Sequence, residues 1–221
     1  MGTNGLVVFD CDGVLVESEE LSNRALRESL TACDIRCALV DDLSPFRGAK
    51  LAIVLAAIEA ESGVKLPDDF VPAFRARMAA LFETDLRAVD GIAEVLRDLR
   101  IPYCVASSGP IEKMKCSLRC CGLLEQFENR MFSSYDLGSW KPAPDLFLHA
   151  ARTMGAEPAC TVVVEDSPVG VQAAVAAGMR VFGYAPPERA AELATIGARV
   201  FWPMRALSEL LSCDASTRPE I

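Results

Sequence analysis

The sequence predicts an α/β fold in which a parallel sheet forms the core and an all-helical domain is inserted into it. Short apolar strands alternate with helical stretches through most of the chain, and this alternation produces the crossover connections of a parallel sheet. The first strand, at residues 5–9, runs directly into Asp10 and Asp12. Ligands of open α/β sheets bind beyond the carboxyl ends of the strands, so these carboxylates stand where chemistry is expected.

The first strand is an apolar run, residues 6–9, and it is soon followed by the turn residue Gly13. An uninterrupted apolar run of this length is typical of a buried strand in a parallel sheet. Asp12 and Gly13 are also a hairpin-turn signal, but the residues after them lead towards a helix, so a hairpin is not favoured. Val14 and Leu15 exclude a calcium loop of the EF-hand type.

Three helical stretches follow the first strand and interrupt the alternation of strands and helices. These stretches are Glu19–Ala32, Ala49–Glu61 and Asp68–Leu86. Because they all lie between the first strand and the second, we expect residues 17–86 to form an inserted helical domain over the strand ends. Its linkers to the core are predicted near residues 16–18 and 85–91.

Strands and helices alternate again after this block. The later strands are predicted at residues 103–106, 130–133, 161–164, 180–184 and 199–202. Polar residues follow three of them: Ser107 after the first, Lys141 a short loop after the second, and Glu165 with Asp166 after the third. The carboxyl ends of parallel strands lie along one edge of a sheet, so we expect these residues to join the two aspartates there.

Each of these polar clusters also has an ordinary explanation. Ser107 or Ser108 could cap the following helix, and Ser167 could cap the helix that Pro168 opens. Lys141 could be a solvated loop residue, and the two aspartates could serve a turn or a cap. However, chance is a poor explanation for the presence of all these polar clusters at strand ends. Two neighbouring carboxylates repel each other unless a metal ion or a proton relieves the charge, so a metal, a protonated carboxyl or both are expected.

The bulk composition excludes several classes of protein. The chain has 221 residues, enough for one large core or for a core with a smaller insert, and its net charge of −9 disfavours nucleic acid as a partner. An anionic small substrate stays compatible, because local charge in a cleft can oppose the net charge. The longest apolar run, residues 51–58, is too short to cross a bilayer, so no membrane partner is expected. Residues 1–5 carry no basic segment typical of a secretion signal, and a cytoplasmic location is expected.

Histidine and cysteine usage narrows the chemistry further. The single histidine, His149, lies in a predicted helix without a nucleophile motif, so acid–base chemistry is assigned to carboxylates or lysine. The nine cysteines include no Cys-x-x-Cys pair and are expected to be small apolar residues kept reduced. Redox sensing by Cys116, Cys120 and Cys121 is the minority alternative.

Four segments together resemble the motifs of the haloacid dehalogenase superfamily. They are Asp10–Leu15, Ala106–Ser108, Lys141–Asp145 and Val164–Gly170. The resemblance implies a Rossmann-like catalytic core formed by residues 1–16 and 87–221 and a helical cap of the C1 type formed by residues 17–86. Within the superfamily, the chain is most similar to sugar phosphatases related to 6-phosphogluconate phosphatase and β-phosphoglucomutase. This closer likeness rests on Phe46–Gly48, Ser108–Pro110 and Trp140–Pro142.

The resemblance implies hydrolysis of phosphate monoesters through an aspartyl-phosphate. Asp10 would be the nucleophile, and Asp12 would protonate the leaving alkoxide and later take a proton from the attacking water. Ser107 would donate a hydrogen bond to a phosphoryl oxygen, and Lys141 would neutralise charge on the phosphate and on Asp10. Dehalogenating members lack the second aspartate, so Asp12 favours phosphate esters as substrates.

The resemblance also implies Mg²⁺ as the cofactor. The ion would be held by the Asp10 side chain, the Asp12 backbone carbonyl and Asp166, a set that suits its preference for oxygen ligands. Glu165 would lie just outside the coordinating atoms.

The substrate is expected to be a small phosphorylated metabolite, with a sugar phosphate favoured. Arg47, Lys50 and Ser108 are assigned to substrate binding, although solvated surface charge explains Arg47 and Lys50 equally well. One alternative is a phosphoglucomutase-type phosphoryl transferase; members of that branch usually carry a cap histidine where this chain has Ser22 and Asn23. The other alternative is an inactive ligand-binding relative, which the intact aspartates and lysine disfavour. A monomer or weak homodimer is expected.

Overall fold

One parallel sheet of six strands forms the centre of the computed structural model, which describes residues 5–216 and, within that range, side chains up to residue 212. The strands are β1 (Leu6–Phe9), β2 (Tyr103–Ser107), β3 (Met131–Ser133), β4 (Thr161–Glu165), β5 (Arg180–Tyr184) and β6 (Arg199–Phe201). The predicted α/β class with a parallel sheet is therefore confirmed. The start of the chain, on which the expected lack of a secretion signal rests, lies outside the described residues, apart from residue 5.

Ten α-helices surround the sheet within the described residues, and several short 3₁₀ turns join them. They are α1 (Glu19–Ala32), α2 (Leu51–Ser62), α3 (Phe70–Asp85), α4 (Ile92–Asp98), α5 (Ile111–Cys120), α6 (Ser134–Leu137), α7 (Asp145–Thr153), α8 (Pro168–Ala176), α9 (Ala190–Ala194) and α10 (Ala206–Ser216). None of the described helices is long and apolar enough to cross a membrane.

The strand order β3-β2-β1-β4-β5-β6 puts β1 in the middle of the sheet. The chain moves outward from β1 through β2 and β3, then returns to the other side of β1 with β4, so the order reverses between β1 and β4. Such a reversal leaves a crevice at the carboxyl ends of the two strands, where ligands of this architecture bind. Phe9, the last residue of β1, pairs with Val164 on one side and with Val105 on the other, so β4 runs one residue and β2 two residues beyond the end of β1.

Both faces of the sheet are covered by apolar residues, as a parallel sheet requires. Val7 and Phe9 of β1 belong to one buried cluster, and their neighbours Leu6 and Val8 belong to the other. The first cluster extends beyond the sheet into the helical segment between β1 and β2, and it includes residues of α1, α2 and α3. The helical segment therefore shares one continuous apolar core with the face of the sheet on which Val7 and Phe9 lie.

The helical segment is joined to the sheet through two neighbouring stretches of backbone. Val16 and Ala88 form an antiparallel bridge, and the Glu17 amide donates a hydrogen bond of 2.9 Å to the Arg87 carbonyl. The two predicted linkers therefore lie side by side. The division of the chain into a core and a movable cap formed by residues 17–86 stays a prediction.

The structure differs from the sequence expectations in a few elements. The hairpin alternative after β1 is wrong, because a tight turn at residues 13–15 leads instead to the bridge at Val16 and then to α1. Helices α6, α9 and α10 were not predicted. Cys11 and Cys104 are buried as expected, whereas Cys33 is exposed. Burial raises the pKa of Cys121 to about 11, which keeps the thiol protonated and disfavours redox sensing.

Candidate active site

The carboxyl ends of β1, β2 and β4 bring together the predicted polar residues. Asp10 directly follows β1, and its amide donates a hydrogen bond of 2.9 Å to the Val164 carbonyl of β4. Ser107 is the last residue of β2, and Glu165 is the last residue of β4. Because the strands are parallel and neighbouring, a carboxylate, a hydroxyl and a second carboxylate lie around the crevice where the strand order reverses.

Lys141 forms hydrogen bonds with two of these carboxylates. It lies in the loop between α6 and α7, and only 5% of its surface is exposed. Its Nζ donates hydrogen bonds of 2.7 Å to Asp10 Oδ1 and 2.6 Å to Glu165 Oε1. The alternative of a solvated loop lysine is wrong, because a buried ammonium needs paired anions and Lys141 has two of them.

Burial and charge pull the pKa values of this cluster in opposite directions. The pKa of Asp10 is raised to about 7: burial raises it most, the Lys141 ammonium opposes the rise, and the charges of Glu165 and Asp12 add to it. Burial alone would lower the pKa of Lys141, but attraction to Asp10 and Glu165 raises it above its ordinary value on balance. Lys141 therefore stays charged, while Asp10 lacks enough positive charge around it to be fully ionised at neutral pH.

Glu165 is fixed on its other side by the start of α8. The Ser167 amide and hydroxyl each donate a hydrogen bond of 2.9 Å to Glu165 Oε2. The same Ser167 hydroxyl accepts a hydrogen bond of 3.1 Å from the Gly170 amide, so the predicted capping role is confirmed as well. An added Cβ at Gly170 would collide with the Glu165 carboxylate, so this position in the first turn of α8 has no room for a larger residue.

Asp166 completes an acidic cluster. Ligand oxygens of Asp10, Glu165 and Asp166 all lie within 4.8 Å of one another, and the three residues are buried. Burial raises the pKa of Asp166 well above its usual range, and the charges of Glu165 and Asp10 add to the rise. Arg47 lies 3.4 Å from Asp166 Oδ2, and Arg189 donates a hydrogen bond of 2.9 Å to the Asp166 carbonyl. Arg189 was not among the predicted site residues.

Asp12 points away from the acidic cluster and is held by two residues that sequence reasoning missed. Lys113 Nζ donates a hydrogen bond of 2.7 Å to Asp12 Oδ2, and the Ser18 hydroxyl donates a short one to Oδ1. Burial opposes ionisation, yet Lys113 and Ser18 hold the pKa of Asp12 below its usual value. A signal for Lys113 existed, because a cation in the first turn of a helix is unfavourable unless an anion compensates it.

The loop after β2 presents two hydroxyls. Ser107 Oγ accepts a hydrogen bond of 3.0 Å from the Gly109 amide, and the Gly109 carbonyl accepts one of 2.8 Å from Ser133. Ser108 Oγ is buried and has no hydrogen-bond partner among the described atoms. Because α5 begins after Pro110 without a side-chain cap, the helix-capping alternative for the two serines is wrong.

A cavity lies between this edge of the sheet and the helical segment. Its lining includes the predicted Asp10, Asp12, Asp166, Ser107, Ser108, Lys141 and Arg47, as well as Lys113 and Ser18. Arg47 forms an ion pair of 2.6 Å with Glu19 in addition to its contact with Asp166.

Two residues lie elsewhere. The Lys50 ammonium lies 3.5 Å from the centre of the Trp140 ring, and Lys50 does not line the cavity. His149 packs edge-on against Phe132 and also lies outside the cavity, which agrees with its predicted role as an ordinary helix residue.

The arrangement is suited to attack by a carboxylate on an anionic electrophile. Asp10 is next to a fixed ammonium, the hydroxyls of Ser107 and Ser108 line the same cavity, and Asp12 offers a separate carboxylate. Phosphoryl transfer depends chiefly on such positioning and on electrostatic stabilisation of the phosphoryl oxygens.

Comparison with known proteins agrees with this arrangement. The sequence pattern of haloacid dehalogenase-like hydrolases matches residues 5–178. The 6-phosphogluconate phosphatase of Escherichia coli K12 is 36% identical over 177 residues, which cover 80% of this chain and 80% of that enzyme.

Two solved structures share the fold of the chain. A conserved haloacid dehalogenase-like protein of unknown function from Agrobacterium tumefaciens C58 is 32% identical, with a TM-score of 0.80 over 96% of this chain and 99% of that one. A HAD family hydrolase from Deinococcus radiodurans R1, solved with bound phosphate and sodium, is 30% identical, with a TM-score of 0.76 and full coverage of both chains. The chain therefore belongs to the haloacid dehalogenase-like hydrolases, and the predicted assignment to a hydrolytic enzyme of this superfamily is confirmed.

Proposed function

We propose that this hydrolase is a Mg²⁺-dependent phosphatase of small phosphorylated metabolites, sugar phosphates such as 6-phosphogluconate above all, and that it works through an aspartyl-phosphate. The observation that carries the proposal is the contact of Lys141 with Asp10 at the floor of a cavity that Asp12 also lines. The likeness to 6-phosphogluconate phosphatase supports the substrate class. The expected cytoplasmic location and the monomeric or weakly dimeric state belong to the same proposal.

The residues present fit a divalent metal ion. Three buried carboxylates within 4.8 Å of one another carry more negative charge than Lys141 can balance, and oxygen ligands are what Mg²⁺ prefers. We assign the ion to the side chains of Asp10 and Asp166 and to the Asp12 carbonyl. Both oxygens of Glu165 already accept hydrogen bonds, so Glu165 supports this site without binding the ion directly. When bound, Mg²⁺ neutralises charge on the phosphoryl group and orients it towards Asp10.

Asp10 is the proposed nucleophile. Lys141 holds its Oδ1, so we assign the attack to Oδ2, which forms a bond to phosphorus while the bond to the ester oxygen breaks. Asp12 passes a proton to the departing alkoxide; because Lys113 and Ser18 keep its carboxylate ionised in the free enzyme, we assign the source of this proton to the substrate phosphate, which brings it into the site. A water molecule then attacks phosphorus, Asp12 takes the proton from that water, and the Asp10 carboxylate is released with inorganic phosphate.

The two loop serines and Arg47 are the proposed contacts of the substrate. Ser107 and Ser108 donate hydrogen bonds to phosphoryl oxygens, and the unpartnered hydroxyl of Ser108 supports this assignment. Arg47 reaches the cavity from the helical segment, which we propose acts as a cap. Lys50 would have to leave Trp140 to reach a substrate, so it is not part of the proposed binding set.

Phosphate release tests the function directly. Purified protein is incubated with a panel of phosphorylated sugars, sugar alcohols and sugar acids, with Mg²⁺ and with EDTA. We expect release with Mg²⁺ only, and a loss of at least about a thousandfold in the Asp10→Asn variant, because the nucleophile is gone. The exposed Asp68→Asn variant is the control and should retain the parent rate. Isomerised sugar phosphate from a hexose 1-phosphate would instead indicate a mutase, and no turnover at all would favour an inactive binding protein.

Gly13→Ala tests the metal site by geometry. Gly13 has a φ of +77°, and an added Cβ would collide with the Asp166 carboxylate. We expect a roughly 10- to 100-fold loss of apparent Mg²⁺ affinity, measured from the dependence of the rate on Mg²⁺ concentration. Gly155→Ala is the matched control, since its φ is +72° and nothing lies within 4 Å of the added Cβ. Equal Mg²⁺ affinity in the two variants would argue against Asp166 as a ligand.

Thermal unfolding at several pH values tests the electrostatic part of the proposal. In EDTA the folded protein holds a proton on Asp10 up to a pKa of about 7, whereas the unfolded chain loses it near 3.8. Stability from this group is therefore present at low pH and is lost as the pH rises through about 7. We expect Asp10→Asn to melt several degrees above the parent at pH 7.5, and this gap to shrink towards pH 4.5.

The same unfolding experiment is repeated with Mg²⁺ in place of EDTA. Saturating Mg²⁺ should raise the melting temperature of the parent by roughly 5–10 °C at pH 7.5 and leave Asp10→Asn nearly unchanged. A gap between the two proteins that does not depend on pH, or an equal shift by Mg²⁺ in both, would contradict the assignment of Asp10.

A further inference from the structure

Lys113 lies in the wall of the cavity beside Asp12, outside the predicted set of site residues. Its ammonium is 2.7 Å from Asp12 Oδ2, and the side chains of Lys113 and Asp12 are 19% and 31% exposed. The first turn of α5 disfavours a cation, and Asp12 supplies the anion that compensates Lys113 there. Both side chains also line the cavity and stay partly exposed, so the ammonium is open to a charged group that enters.

The position of Lys113 relative to the leaving group follows from the role of Asp12. To transfer a proton, the Asp12 carboxylate must come within hydrogen-bond distance of the ester oxygen. The ammonium that touches this carboxylate then lies within about 6 Å of the same oxygen, on the side of the leaving group. Lys141, by contrast, touches Asp10 and so lies on the side of the phosphoryl group.

The other cations that line the cavity contact residues other than Asp12. Lys141 binds Asp10 and Glu165, and Arg47 binds Glu19 and Asp166. Arg75 lies against Tyr135, with 3.3 Å between its Nη2 and the phenol oxygen. Lys113 is the lining cation that contacts Asp12, the proposed proton donor to the leaving group, so it is the one placed beside the part of the substrate that leaves.

We propose that Lys113 binds an acidic substituent of the leaving group, so that the site selects phosphorylated sugar acids over the corresponding sugar alcohols. The carboxylate of the substrate takes a hydrogen bond from Lys113 Nζ, and Ser18, which is only 1% exposed, keeps Asp12 in place from its other oxygen. Lys113 is thus a specificity-determining residue. This inference rests on the proposed phosphatase function.

A pair of substrates that differ only in this charge gives the sharpest test. 6-Phosphogluconate and glucitol 6-phosphate have the same six-carbon chain and the same phosphate position, and they differ in a terminal carboxylate against a hydroxymethyl group. The readout is the ratio of kcat/KM for the acid to kcat/KM for the alcohol. It is measured for the parent, for Lys113→Met and Lys113→Gln, and for Lys113→Arg, which keeps the charge.

Lys115→Met is the matched control on the same helix. Lys115 is half-buried and lies 3.6 Å from Glu112, and it does not line the cavity. We expect the parent to prefer the acid, and the acid-to-alcohol ratio to fall at least about fivefold in Lys113→Met and Lys113→Gln. Lys113→Arg and Lys115→Met should keep the ratio of the parent. Two neutral variants guard against misfolding of one, and thermal unfolding checks both.

A ratio that changes less than about fivefold in both neutral variants would overturn the proposal, whatever happens to the absolute rates, because a residue that only supports Asp12 affects both substrates alike. A parent enzyme without preference for the acid would also overturn it. Failure of the phosphatase function itself looks different: the parent would then release no phosphate from either compound, nor from the activated ester p-nitrophenyl phosphate.

Discussion

Lys141 makes the burial of two carboxylates at one point of the molecule possible. Its ammonium touches Asp10 and Glu165 at once, and without it both acids would face the full cost of charge burial. The contact also fixes geometry, because it connects the end of β1, the end of β4 and the loop after α6. Asp10 and Asp166 lack enough positive charge around them to ionise fully, and this shortfall is what makes this edge of the sheet suited to a cation.

The sheet supplies the precision of this site. Asp10 and Glu165 follow or end neighbouring strands whose register is set by backbone hydrogen bonds, so their separation does not depend on flexible loops. Asp12 is only two residues further, yet its side chain faces Lys113 instead of Lys141. One turn of backbone thus separates two carboxyl groups with different charge partners, and the pKa of Asp10 is raised while that of Asp12 is lowered.

The sequence was sufficient to predict those parts of the fold that depend on local patterns of apolar and polar residues. Apolar runs located the strands, and the polar residues after them met at one edge, because all strands are parallel. Ser167 shows that an ordinary and a functional explanation can both hold, since one hydroxyl caps α8 and also binds Glu165. Sequence patterns could not show how the helices are rotated against the sheet, and this rotation decides that Lys113 reaches Asp12 and that Lys50 lies on Trp140.

Chemical trapping of the covalent intermediate tests the central claim most directly. The protein is mixed with Mg²⁺ and 6-phosphogluconate, treated with borohydride during turnover, digested and analysed by mass spectrometry. Reduction of an aspartyl-phosphate converts the aspartate to homoserine, and we predict homoserine at position 10, dependent on both Mg²⁺ and substrate. Homoserine at another aspartate, or a phosphorylated serine with position 10 unchanged, would contradict the account.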